Sequence, residues 1–221
     1  MSHFMKLFID NLWISPYTYS VYCALKEKEV LFELEEVSFQ SGHGSTQTFR
    51  DRSYTDLIPL IDDDGFMLSE SMAILEYAEE KFPAPKVKPI FPEAVQDRAR
   101  ARMLMSWYRT GLQTLRNERS AETIFYSEER SNCLPLSAVA QEEIQDWTRF
   151  LSDTLRHGKP FLFGNWSIAD TETAFMLHRM ICNGDPVDEK LKKYATAIWN
   201  RPATREYVEH QRPQYRSFYA P

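Results

Sequence analysis

Three cysteines among 221 residues are too few and too scattered to staple a fold. Cys23, Cys133 and Cys182 are odd in number, far apart and outside any metal-ligand spacing, which argues against a disulfide framework and suits a reducing compartment. The five histidines, His3, His43, His157, His178 and His210, are equally dispersed, so no metal site is expected. Long apolar runs are missing too: none approaches the roughly 20 residues that a membrane-spanning helix needs. The first residues lack a basic start followed by an apolar core. Positive charge is not in excess either. With 26 Lys and Arg against 32 Asp and Glu, and a formal charge of −6, the chain offers no field for polyanions. The expectation is a soluble cytoplasmic protein without metal, nucleic acid or membrane among its partners.

What is present is more informative. Ile58-Pro59-Leu60-Ile61 reads as the start of a hydrophobic strand, and Asp62-Asp63-Asp64-Gly65 as an acidic turn. Leu68-Ser69-Glu70-Ser71 then opens an amphipathic helix. A proline after a β-branched residue at a strand start can be held cis, leaving the backbone of Ile58 free for an extended peptide. Glu70 and Ser71 stand where helix N–H groups and the dipole attract a carboxylate, while Glu70 itself attracts an ammonium. Together they describe a cradle for a small zwitterionic peptide. The bland alternative is an ordinary strand, turn and capped helix.

Upstream, Lys6–Asp10 reads as a short buried strand, with Ser15 as N-cap and Pro16 as first position of a helix. Tyr17, Val21, Ala24 and Leu25 fall at helical spacing and predict its apolar face. Leu31–Val37 alternates as a strand. Strand, helix, strand, an irregular stretch, a hairpin and a helix is the thioredoxin-like order, with Ile58-Pro59 where such folds carry a cis proline.

The prolines of Pro83-Ala84-Pro85-Lys86-Val87-Lys88-Pro89-Ile90-Phe91-Pro92 exclude a helix and favour an extended connector. This places a first domain over 1–83, a linker over 84–93 and an all-helical domain over 94–221. Leu104, Trp107, Tyr108, Leu112 and Leu115 predict one face of a long helix; Leu136, Ala140, Ile144, Trp147, Leu151 and Leu155 predict another, ended by Gly158. Ser167 and Asp170 spell an acidic capping box for a helix that turns Ile168, Ala174, Phe175, His178 and Ile181 to a core. Asp185-Pro186 and Arg201-Pro202 break the rest into short helices. The alternation of Arg98, Arg100 and Arg102 reads as a solvated face or a subunit contact.

Ser15-Pro16-Tyr17, Ile58-Pro59, Glu70-Ser71 and Ser167-Ile168-Ala169-Asp170, in this order, resemble the glutathione transferase superfamily of cytosolic type. The resemblance covers nearly the whole chain. Arg98 to Arg102, Trp107, Glu118-Arg119 and Leu162-Phe163-Gly164 are similar to one bacterial branch, the YfcF-type transferases. The resemblance implies an α/β N-terminal thioredoxin-like domain and an all-α C-terminal domain, a homodimer, and glutathione as co-substrate. It implies that Ile58-Pro59 docks the cysteine backbone of glutathione and that Glu70-Ser71 forms the γ-glutamyl site.

At the two positions where a redox fold of this type carries Cys-X-X-Cys stand Ser15 and Thr18, so the chain cannot cycle its own disulfide there. A hydroxyl at a helix N-terminus remains. Ser15 is the candidate activator of the thiol, with Tyr17 as the lesser alternative and backbone N–H groups as a third. The second substrate is expected against Trp13 and Ile14 from the loop and Trp107, Tyr108 and Phe125 from the helical side. Gln47 is a candidate for the glycyl carboxylate. The expected activity is transfer of the glutathione sulfur to an electrophile. Two alternatives stand beside it: a glutathione-dependent peroxidase or disulfide reductase, and a non-catalytic binder or adaptor of the same fold.

Overall fold

A computed structural model describes residues 5–38, 53–155 and 158–215. The chain divides into two units, one formed by the residues up to Ile90 together with those from Glu206 onward, the other by Phe91 to Arg205.

The first unit is a mixed sheet with helices. Strand β1 (Met5–Asp10) buries Met5, Leu7, Phe8 and Ile9, so it sits inside the sheet. It pairs in parallel with β2 (Phe32–Val37) and antiparallel with β3 (Leu60–Asp63), which is paired to β4 (Phe66–Ser69), in the order β2-β1-β3-β4. A parallel neighbour needs a crossover, supplied by helix α1 (Pro16–Glu27). The β3–β4 hairpin turns through Asp64 and Gly65, both at positive φ (54° and 92°), as a two-residue turn of the right twist requires. The alternation in 31–37 suggests a half-buried strand, but β2 is an edge strand on which Val37 is buried and Leu34 is exposed.

Helix α2 (Ser71–Lys81) follows the hairpin, and no helix forms between Lys81 and Val95, where the prolines stand. Lys28, at the end of α1, is buried. Its ammonium pairs with Glu79 at 2.7 Å and donates to the Lys88 carbonyl at 3.0 Å, while Glu79 accepts from Ile90 N at 3.1 Å. One satisfied buried cation thus ties α1, α2 and the connector together.

The second unit is all helical: α3 (Val95–Thr110), α4 (Gln113–Glu118), α5 (Glu122–Phe125), α6 (Ser127–Ser131), α7 (Ala138–Thr154), α8 (Ile168–Ile181) and α9 (Glu189–Trp199). A final helix, α10 (Pro202–Val208), is divided between the units at Glu206. The apolar spacing through Leu115 predicts one long helix, but the chain breaks at Gly111, with Leu112 left-handed at φ 50°. Gly111 lies so close to Trp107 that a Cβ there would meet its ring at 2.4 Å. The predicted faces still meet: Leu104, Tyr108, Leu112, Leu115, Trp147, Leu151 and Leu155 share one buried cluster with Ala174 and Leu177 of α8.

Ser167 and Asp170 form the predicted capping box. Arg98 donates to the Pro92 carbonyl at 2.8 Å, Arg100 pairs with Asp97 at 3.4 Å, and the Arg102 guanidinium lies 5.4 Å from the centre of the Phe91 ring. Each arginine of the alternation has a local use. Ser137 caps α7 by accepting from Ala140 N at 3.2 Å. Ser137→Ala is expected to remove about 1 kcal/mol of stability, read as a lower urea midpoint at unchanged m-value.

Candidate active site

The loop after β1 is shaped by Asp10. This carboxylate, 2% exposed, accepts from Ile14 N at 2.8 Å and Ser15 N at 3.2 Å, and the Asp10 carbonyl accepts from Trp13 N at 3.1 Å. Burial pushes the Asp10 carboxyl above the usual aspartate range, against the pull of those two N–H groups and of Arg212. The turn sets Trp13 at φ 54° and delivers Ser15 to the N-cap of α1. Ser15 Oγ accepts from Thr18 N at 3.3 Å, and its O–H has no acceptor among the described residues. The hydroxyl of this partly buried residue therefore keeps its donor free at the positive end of a 12-residue helix. Tyr17 is only partly buried, whereas Val21, Ala24 and Leu25 are fully buried, so the apolar face of α1 is carried by its later turns. Cys23 is fully buried on that helix.

Ile58-Pro59 is a cis peptide. The backbone N–H and C=O of Ile58 have no partner among the described residues. Glu70 occupies the N-cap position of α2 but makes no side-chain capping bond, and its carboxylate has no partner among the described residues. It is exposed, with φ 70° and ψ 111°. A non-glycine residue in that region costs on the order of 1 to 3 kcal/mol, so simple capping does not account for Glu70. Ser71, 5% exposed, follows at the first helical position.

The sheet register brings these segments together. Leu60 is paired with Phe8 on one side and Ser69 on the other. The loop after β1, the residues before β3 and those after β4 therefore emerge at the same end of the sheet. Among the sequence-predicted residues, Ser15, Ile58, Pro59, Glu70 and Ser71 share this end; Gln47 lies outside the described residues.

Trp13 and Ile14 belong to the same loop and are buried at 4% and 5% exposure. The Trp13 indole donates to Glu36 at 2.9 Å and stacks on His210 at 3.7 Å. The other expected pocket residues are in the helical unit. Tyr108 is in its core, its hydroxyl 2.7 Å from Thr173 Oγ1 and accepting from the Trp147 indole at 3.2 Å. Trp107 packs partly buried against the same core, and Phe125 lies 6.2 Å from Phe175.

Asp10, Tyr207, His210 and Arg212 surround the loop in roles that carry no signal in the sequence. Tyr207 donates to the Ser15 carbonyl at 3.4 Å, and Arg212 donates to the Trp13 carbonyl at 3.0 and 3.1 Å. Burial, then the charge of Arg212, lowers the His210 pKa below its ordinary value. Among the described residues no group of three or more His, Cys, Asp or Glu could hold a metal ion. No described helix is long and apolar enough to cross a membrane.

Residues 12–86 match the family described as Glutathione S-transferase, N-terminal domain, and residues 94–211 match Glutathione S-transferase, C-terminal domain. The chain belongs to the glutathione transferase family. A glutathione transferase homolog from Burkholderia, solved with bound glutathione, is 30% identical, with 93% of this chain and 97% of that one covered and a TM-score of 0.76. Glutathione S-transferase theta-3 of Mus musculus is 24% identical over 208 residues, covering 93% of this chain and 84% of its own length. A probable maleylacetoacetate isomerase of Vibrio cholerae is 26% identical over 204 residues, with 87% of each chain covered. The α/β first unit and all-helical second unit are the fold of this transferase family.

Proposed function

We propose that this transferase-family chain binds glutathione in extended form and keeps its thiol partly ionised for attack on an electrophile, with Ser15 as the donor to sulfur. In this reading the Ile58 backbone pairs with the cysteinyl residue, Glu70 takes the γ-glutamyl ammonium, and Ser71 with the α2 N-terminus takes the γ-glutamyl carboxylate. The observation that carries it is Glu70, exposed, unpartnered among the described residues and left at positive φ where a cap would be expected. The Burkholderia relative with bound glutathione supports the same ligand. Trp13 and Ile14, on the loop that carries Ser15, border the reacting sulfur. A cytoplasmic homodimer of the YfcF-type branch is the setting.

Modest stabilisation suffices for the chemistry. A thiol with a pKa of about 8.5 is a few per cent ionised at pH 7, and one hydrogen bond of about 1.4 kcal/mol raises that fraction nearly tenfold. Retention on immobilised glutathione with turnover of a chlorodinitrobenzene-type electrophile tests the proposal; retention with no turnover of electrophile, hydroperoxide or mixed disulfide favours the adaptor reading. Ser15→Ala is expected to lower kcat about tenfold and leave glutathione affinity within about twofold. An unchanged kcat would transfer the role to backbone donors.

A further inference from the structure

The loop that carries Ser15 is held by groups of opposite charge. Asp10 takes the N–H groups of Ile14 and Ser15. On the carbonyl side, Arg212 donates to Trp13 O through Nε at 3.1 Å and Nη2 at 3.0 Å. It also reaches the carbonyls of Tyr207 through Nη2 and of Val208 and His210 through Nη1, each at 2.9 Å. A guanidinium carries its five N–H donors on three nitrogens, and all three nitrogens of Arg212 are engaged in these bonds.

Three of the bonds are local, the one to His210 spanning only two residues. Tyr207 and Val208 end α10, where carbonyls lack helical partners and a cation is favoured. The Trp13 bonds are different, because they join residues 199 positions apart. They also fall on a non-glycine residue at φ 54°, a conformation that persists when its surroundings over-determine it. Here the N–H, the indole, the ring face and the carbonyl of Trp13 are all engaged, by Asp10, Glu36, His210 and Arg212.

We propose that Arg212 is a positioning residue for catalysis: its fork fixes the backbone from Trp13 to Ser15 and so aims the Ser15 O–H at the substrate sulfur. This rests on the assignment of Ser15 made above. A hydrogen bond weakens steeply as its angle closes, so a small rotation of the peptide after Trp13 would spend most of the donor's value. The Ile58 and Glu70 sides of the cradle would be untouched. Lysine keeps the charge and the aliphatic stem but has no planar fork with which to bridge these carbonyls.

The test measures the pH midpoint of the bound glutathione thiol, by thiolate ultraviolet absorbance, together with glutathione affinity by calorimetry. Ser15→Ala, Arg212→Ala and Arg212→Lys are each expected to raise the midpoint by about one unit and to change affinity less than about threefold. Adding Arg212→Lys to Ser15→Ala should raise it no further, because both act through one donor. Millimolar guanidinium ion should return the Arg212→Ala midpoint toward the wild-type value. Arg212→Lys decides the matter if the alanine variant does not fold. A midpoint raised in Ser15→Ala but unmoved in Arg212→Lys overturns the inference and leaves Arg212 as a helix cap alone. A midpoint unmoved in Ser15→Ala overturns the Ser15 assignment itself.

Discussion

Glu70→Ala is expected to weaken glutathione binding by about 10- to 100-fold, the value of a charge-assisted contact to the substrate ammonium. Turnover at saturating glutathione should stay near wild type, because the lost contact is the same in ground and transition states. Ser71→Ala should act in the same direction through the γ-glutamyl carboxylate. Glu70→Gly separates side chain from backbone: it should lose affinity like the alanine variant yet gain roughly 1 kcal/mol of stability, since glycine holds φ 70° without strain. Calorimetric titration and urea denaturation of the variants read the two effects independently. A fall in turnover at unchanged affinity would contradict the role given to this residue.

The second large effect is on stability. The Asp170 carboxylate, fully buried, accepts from Leu162 N, Ser167 N and Tyr194 Oη at 2.8 Å and from Ser167 Oγ at 3.1 Å. A capping box alone is worth about 1 to 2 kcal/mol. Here a loop N–H and a tyrosine from α9 depend on the same group, and Asp170→Ala strands several buried donors at once. The expected loss is about 3 to 5 kcal/mol, seen as a large drop in the urea midpoint. Asp170→Asn should lose less, because its amide oxygen still accepts. A loss below about 1 kcal/mol for the alanine variant would mean that water reaches these donors.

The parts of this molecule legible in the sequence are those where local chemistry and tertiary structure agree. Ser15-Pro16 announces a helix start by cap and fixed φ, and Ser167 with Asp170 announces a capped helix; the acidic turn expected over Asp62–Gly65 announces the hairpin but is shorter than expected, because Asp62 and Asp63 still pair within β3. The apolar spacing of residues 104–115 was legible as a face but not as two helices, because the spacing continues across Gly111, a position packed too closely on the Trp107 ring for a side chain and followed by the left-handed Leu112. Ser137 as the cap of α7 was illegible among the serines of the chain. At the site, Ser15, Ile58-Pro59 and Glu70-Ser71 carry local signals. Arg212 and Tyr207 carry none: their role depends on the last helix delivering them to a loop near the other end of the chain. Asp10 was legible as the end of a strand, while its grip on Ile14 and Ser15 comes from the turn that follows.

Titration of the purified, folded protein with glutathione in a calorimeter addresses the central claim most directly. The account predicts a saturable heat at or below millimolar glutathione, greatly reduced when Glu70 and Ser71 are both replaced by alanine. No heat at millimolar glutathione would contradict it.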